Sequence, residues 1–287
     1  MPASPYTDLD RPPLPARALQ RALTVPDGLW RRIDLRTETG STNADAVAAA
    51  RAGEPEGLVV IAEQQTDGRG RRDRQWVSPA RAGLTLSVLL RPGASDPARG
   101  WAAVPGRAYG WLPLLAGVAL LDTVQRMAEV EAVLKWPNDL LVGADGAQAK
   151  CAGILAEAAG DAVVLGIGLN VTTRADELPP TTGPAATSLR LAGATRTDRD
   201  PLLRALLRGT AQWYTAWRDA DGDAVASGLA AAYRQGCATV GQQVRVLLPN
   251  GAELIGEATT VDDDGQLVVR TADGERRVSA GDVLHVR

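Results

Sequence analysis

The basic residues of this chain fall into a pattern that could handle an anion. Residues 66–76 read TDGRGRRDRQW, so Arg69, Arg71, Arg72 and Arg74 stand beside Gly68 and Gly70, and the stretch closes on Trp76. Guanidiniums so crowded repel one another unless solvent or an anion compensates them. The stretch therefore reads either as an anion-binding loop or as a solvated basic one. Its glycines would let the backbone close on a ligand or take a positive φ. Lys135 stands in KWPND after Val133-Leu134, either snorkelling at a strand end or aimed at a reacting centre. Asn138 and Asp139 behind it are turn formers, although the carboxylate could orient Lys135 or organise a divalent metal. Lys150, in QAKCAG, is the only other lysine in a chain that otherwise uses arginine. That economy favours a role for both lysines.

Two further stretches supply neutral groups. GSTN presents Ser41, Thr42 and Asn43 at the start of a helix. They could cap it, or hold a neutral polar head such as a ureido or amide group. GIGLN puts Gly166 and Gly168 where a ligand or another backbone must come close, and Asn170 offers an amide at the strand end.

Missing motifs narrow the chemistry. There is no G-x-x-x-x-G-K-[ST], and GRGRRD departs from the dinucleotide fingerprint at Asp73. Phosphate would have to be met by arginines through bidentate, charge-assisted bonds. Cys151 and Cys237 are far apart and His285 lies near the end, so neither a His/Cys metal site nor a nucleophilic triad can be assembled. Two buried, inert thiols are expected.

The elements needed to position these groups can be read from the pattern. The chain has 287 residues with 45% hydrophobic and 23% charged, near the globular average. A net charge of −3 argues against a general nucleic-acid coat and makes the arginine loop a local feature, suited to a small anionic ligand. The N-terminus lacks a signal peptide's basic and apolar regions, and Trp111 to Leu121 is too short to span a bilayer, so a soluble cytoplasmic protein is expected. Pro2, Pro5, Pro12, Pro13 and Pro15 suggest an extended, flexible arm over residues 1–22 that need not pack. A main domain should occupy 23–235. In it, GLVVIAEQQ and GLTLSVLLRPG read as strands, Tyr109 to Val130 as a core helix, and AVLKWPNDLLVG as strand, turn and strand. QAKCAGILAEAAG and DAVVLGIGLNV read as a hairpin, with helices over Arg199 to Ala220 and Asp223 to Gln235. A helix follows GSTN, with Thr42 and Asp45 in capping-box spacing. Residues 236–287 carry short alternating strands with turns at Asn250-Gly251, Asp264-Gly265 and Asp273-Gly274, the signature of a small β-barrel. The fold class is α+β, a mixed sheet flanked by helices with that barrel behind it.

Taken in order, GSTN, EQQTDGRGRRDRQW, KWPND, KCAGILAE and GIGLN followed by a small barrel resemble the biotin protein ligase family over nearly the whole chain from about Leu35. The resemblance implies the catalytic fold shared with lipoate ligases, an SH3-like C-terminal domain, and the monofunctional class without a repressor's DNA-binding domain. It implies biotin and ATP as substrates with Mg2+, and an adenylate that passes biotin to a carrier lysine. The implied partner is the carboxyl carrier domain of acyl-CoA carboxylases, with no nucleic acid or membrane, the enzyme being a monomer or weak homodimer. By the same resemblance Ser41, Thr42, Asn43 and Gln65 would surround the ureido ring, and Arg69, Gly70 and Arg71 would close over the carboxylate and adenylate phosphate. Lys135, with Arg71 and Arg69, would be catalytic, bridging carboxylate and α-phosphate, while Gly153, Gly166 and Gly168 would permit close approach. Arg74, Trp76, Asn138, Lys150 and Asn170 would meet the nucleotide, with Asp139 as metal organiser. Asp67 and Asp73 depart from the family pattern by adding negative charge to the loop, and Cys151 replaces an apolar residue. A lipoate–protein ligase is the near alternative. A nucleic-acid-binding module is the distant one, opposed by Glu253, Glu257, Asp262, Asp263 and Asp264 in the barrel region.

Overall fold

The computed structural model describes residues 10–72, 74–144, 147–180, 185–248 and 251–285. The main domain is built on β1 (Arg32–Arg36), β2 (Leu58–Ala62), β3 (Gly83–Leu90), β4 (Ala132–Lys135), β5 (Asp139–Val142), β6 (Ala149–Ala159) and β7 (Ala162–Asn170). They form one seven-stranded sheet in the order β1-β2-β3-β7-β6-β5-β4. β1 runs parallel to β2 and every other pairing is antiparallel. Strands β2, β3 and β7 are buried along their whole length, which explains their nearly unbroken apolar sequence: both faces are covered.

Helix α2 (Thr42–Arg51) covers one face, setting Ala46 and Ala50 against Leu58, Val60, Leu89 and Val164. Helices α3 (Trp111–Thr123) and α4 (Arg199–Asp219) cover the other and join the main core. The core helix read from Tyr109 to Val130 is three pieces: a 3-10 turn over Gly106–Gly110, then α3, then a π-helical turn over Val124–Ala128. Glu129, with φ 57, ends it. Similarly, the second late helix begins later than its sequence suggests. Residues 223–228 form turns, with the Asp223 carboxylate accepting from the N–H groups of Val225 and Ala226, and α5 runs Leu229–Gly236. The cap of α2 is Ser41 rather than Thr42: Ser41 accepts from the Ala44 N–H at 3.4 Å, and Thr42 is already the first helical residue.

The proline-rich start is not a free arm through residue 22. Residues 10–22 are packed, and α1 (Ala16–Leu23) begins directly after Pro15. Leu14, Leu19 and Leu23 are buried, so the apolar residues between the prolines outweigh the prolines' extended preference. Arg11 donates to Glu177 Oε2 at 2.6 Å and to the Thr172 carbonyl, while Arg199 donates to the Pro12 carbonyl and to buried Glu63.

After α5 come β8 (Gln243–Leu247), β9 (Glu253–Val261), β10 (Leu267–Thr271), β11 (Gly274–Val278) and β12 (Asp282–His285). They make a five-stranded antiparallel sheet ordered β11-β10-β9-β8-β12, the strand set expected of the SH3-like domain. No ladder closes β11 onto β12 among the described residues. Gly265 and Gly274 sit in its turns at φ 78 and 112, where side chains are disfavoured. Asn250 of the first turn lies outside the described residues. Two fully buried tryptophans fasten this sheet to the main domain. The Trp111 indole N–H donates to the Asp263 carbonyl at 2.7 Å, and that of Trp136 to Gly265 at 3.1 Å.

Candidate active site

The register of the main sheet lines up the chemistry. Thr85 stands opposite Gly168, Gly168 opposite Gly153, Gly153 opposite Asp139, and Asp139 opposite Lys135. One row thus crosses β3, β7, β6, β5 and β4 on the face that α2 covers. The next row on that face holds Ser87 opposite Gly166. Over these rows opens a cavity of about 680 Å3, and every residue named from the sequence as a site candidate lines it. Asp73 alone, singled out as a departure in the arginine loop, lies outside the described residues.

At one end the cavity is neutral. Thr42 donates from its backbone N (2.8 Å) and its Oγ1 (3.0 Å) to Gln65 Oε1. Ser87 Oγ reaches Thr42 Oγ1 at 2.8 Å and Asn43 Oδ1 at 2.6 Å, and Asn43 Nδ2 donates to Glu157 Oε2 at 2.7 Å. Ser87 and Glu157 escaped the sequence reading. A polar residue inside the buried run GLTLSVLL was the available signal for Ser87; Glu157 closes the motif KCAGILAE, but as one acid in an alternating strand it carried no sign of a role.

The glycines serve differently from the expectation. A Cβ on Gly166 would meet Asn43 Oδ1 at 2.0 Å, and one on Gly168 would meet Trp76 Cε2 at 2.3 Å. Protein side chains make the close approach. Trp76 accordingly lies over the glycine row in the middle of the cavity, its Cζ3 also 3.3 Å from a Cβ built on Gly153. Its Nε1 and Asn170 Oδ1 are buried polar atoms with no hydrogen-bond partner among the described residues. Each such atom costs about 1–3 kcal/mol, a deficit that a polar ligand could relieve.

At the other end the cavity is cationic. The arginine loop is a tight turn: Arg69 bridges Gln75, and the Gly70 N–H donates to the Arg74 carbonyl at 2.6 Å. Arg71 Nη1 donates to Asn138 Oδ1 at 3.1 Å, and Asn138 is itself fixed to the Ile154 carbonyl. Lys135 Nζ donates to the Val283 carbonyl of β12. Burial lowers the pKa of both Lys135 and Arg71, with nearby cations adding to the effect and Asp139 and Asp282 opposing it. Lys150 Nζ stands 2.7 Å from Asp139 Oδ1, an ion pair without hydrogen-bond alignment. Arg74, expected on the nucleotide, lines the cavity and pairs with Asp282, as does Arg72 at 3.1 Å. Asp282 and the Val283 carbonyl were not foreseen, because nothing local marks a distant barrel strand as part of the site. Both cysteines are free and buried, and burial pushes the Cys151 thiol far up. No group of three or more His, Cys, Asp or Glu able to hold a metal exists among the described residues.

This arrangement can hold a molecule with a neutral polar head against α2 and bring its tail to a strongly cationic end. Residues 41–172 match the description of the biotin/lipoate A/B protein ligase family, and residues 239–286 that of the biotin protein ligase C-terminal domain. A biotin–[acetyl-CoA-carboxylase] ligase of Mycobacterium tuberculosis is 43% identical over 287 residues, covering 98% of this chain and 100% of that protein. The bifunctional ligase/repressor BirA of Bacillus spizizenii is 31% identical over 248 residues, covering 85% of this chain and 70% of that protein. Among solved structures, the Aquifex aeolicus biotin protein ligase in complex with biotin and ATP superposes with a TM-score of 0.70 at 24% identity, over 90% of this chain and 100% of that one. At that identity the superposition speaks for the fold. With its full-length identity to one curated ligase and the matches to both domains, the chain belongs to the biotin protein ligases of the biotin/lipoate A/B protein ligase family.

Proposed function

We propose that this enzyme activates biotin with Mg-ATP and transfers it to a lysine of a carboxylase carrier domain. One observation carries the reading: a single sheet row runs from Thr85 through Gly168, Gly153 and Asp139 to Lys135, joining a neutral pocket to a cluster of cations. Thr42, Asn43 and Gln65 form a ring of donors and acceptors that a ureido group can enter by exchange. Trp76 supplies an apolar wall for the rest of biotin, and this role replaces its earlier placement beside ATP.

In the first step a carboxylate oxygen of biotin attacks the α-phosphorus. A C–O–P anhydride forms, and the bond from the α-phosphorus to the bridging oxygen breaks to release pyrophosphate. Two anions must meet for this, so Lys135 and Arg71, with Arg69 and Lys150, neutralise and orient them in a partly desolvated site. Asn170 Oδ1, buried with no hydrogen-bond partner among the described residues, is an acceptor for the nucleotide. Mg2+ would be held between the triphosphate, water and a protein carboxylate. Asp139 suits it as the protein ligand, since its buried Oδ1 lacks an aligned hydrogen bond. When bound, the ion neutralises phosphate charge. In the second step the carrier lysine's amine attacks the acyl carbon, AMP leaves, and the amine loses a proton.

That the mycobacterial relative is a biotin–[acetyl-CoA-carboxylase] ligase supports acetyl-CoA carboxylase as the source of the carrier domain. No helix among the described residues is long and apolar enough to cross a membrane. ATP–pyrophosphate exchange tests the proposal. Exchange should require biotin and proceed poorly with lipoate; exchange that lipoate supports as well as biotin would overturn it.

A further inference from the structure

The arginine loop does not aim all its charges the same way. Arg71 faces Asn138, and Arg69 lies 3.9 Å from Glu157, while Arg72 and Arg74 both turn to one oxygen of Asp282, at the start of β12. Arg72 also donates to the Leu247 carbonyl at 2.7 Å, and Leu247 is the cross-strand partner of Asp282. The next residue of β12, Val283, receives Lys135. One end of the β8–β12 ladder therefore holds three cations of the site.

That ladder is a firm support, because Trp111 and Trp136 tie its sheet to the main domain. Arg72 stands at φ 55, a left-handed conformation that bulky residues rarely adopt. Such a backbone persists where its surroundings hold it: the Arg74 N–H closes a turn on the Arg71 carbonyl, and the Arg72 side chain is tied to Asp282 and Leu247. An aspartate beside a triphosphate site opposes the substrate's charge, so its placement calls for a compensating role.

We propose that Asp282 is a positioning residue: through Arg72 and Arg74 it anchors the loop to the C-terminal sheet, leaves Arg69 and Arg71 to face the ligand, and so governs how long the acyl-adenylate is retained. The inference rests on the biotin-ligase reading and adds a division of labour within the loop. It also moves Arg74 from nucleotide binding to anchoring. Since the ion pairs are half exposed, the effect of losing them is moderate.

The test uses the full chain loaded with labelled biotin and Mg-ATP, following release of biotinyl-adenylate after a chase with unlabelled biotin. Asp282→Asn should release adenylate about three- to tenfold faster, with more labelling of bystander lysines. Its KM for ATP should not rise, because a repelling charge has been removed. Asp282→Glu should restore retention, and Arg74→Glu combined with Asp282→Arg should retain adenylate better than either single change. Retention equal to wild type in Asp282→Asn overturns the anchor. So does faster release that Glu fails to rescue in a variant with a lowered melting temperature, since that pattern marks general destabilisation. A wild-type enzyme that forms no adenylate sinks the ligase reading itself, which separates the two failures.

Discussion

The two ends of the cavity solve opposite problems. At the neutral end, Thr42, Asn43, Gln65 and Ser87 hydrogen-bond one another, and Glu157 accepts from the Asn43 amide. A ligand entering there exchanges like for like, so the pocket's shape survives emptying. At the cationic end, six basic residues line the cavity, and among the described lining residues the acids are Asp139 and Asp282. That end is held open by counter-charges and by a carbonyl from a separate sheet, and it gains most when an anion arrives. Selectivity is thus expected from the neutral end and rate from the cationic one.

Substitutions at each end should therefore separate in kinetics. The largest effect is expected for Lys135→Ala, which removes a buried amine from the meeting point of two anions. Pyrophosphate exchange should fall by about 1,000-fold through kcat, with the melting temperature kept. An exchange rate near that of wild type would show that the cationic end does not drive the chemistry. Next comes Gly166→Ala, whose Cβ would sit 2.0 Å from Asn43 Oδ1. Displacing Asn43 should raise the KM for biotin by about 10- to 100-fold with a smaller change in kcat. A fall in kcat alone would blur the comparison, because it would tie the neutral end to the chemical step. A smaller effect is expected for Ser87→Ala, which leaves Asn43 held by Glu157 alone. Titration calorimetry should show biotin binding weakened by about fivefold, and unchanged affinity would mean that Ser87 is merely a filled core position.

Much of this contrast could be read from the sequence, for a physical reason. GSTN, KWPND and GIGLN are compact because each sits at the end of a helix or strand, where a few adjacent residues fix a local geometry. Their meeting in one row depends on antiparallel register, which these motifs do not state. Two kinds of feature stayed hidden. Ser87 and Glu157 act across strands from single positions in ordinary β sequence. Asp282 and the Val283 carbonyl come from a domain more than a hundred residues downstream of Lys135, and a backbone carbonyl carries no sequence signal at all. Composition misled at the start of the chain: the prolines drew attention from Leu14, Leu19 and Leu23, whose burial outweighs them.

The finest test concerns the chain's single histidine, which borders the cationic end. The Trp136 N–H donates to Thr239 Oγ1 at 3.0 Å, and that hydroxyl lies 3.2 Å from His285 Nε2. The hydroxyl can donate to a bare Nε2 or accept from a protonated one through its second lone pair, so this contact serves either form of the ring. Burial first, and the charge of Lys135 second, hold the imidazole below its ordinary pKa of 6.5. The unfolded chain therefore binds more protons than the folded one just below that value. Stability should rise with pH through this window and level off above it. In His285→Gln that part of the slope should vanish, a change of less than about 1 kcal/mol given the ring's partial exposure. Because the ring is unique, its NMR resonance reports the titration directly, and Lys135→Ala should move it back toward 6.5. A wild-type ring titrating at or above the ordinary value would mean that β12 does not pack its last residues against Lys135, and the counter-charged wall at this end of the cavity would have to be redrawn.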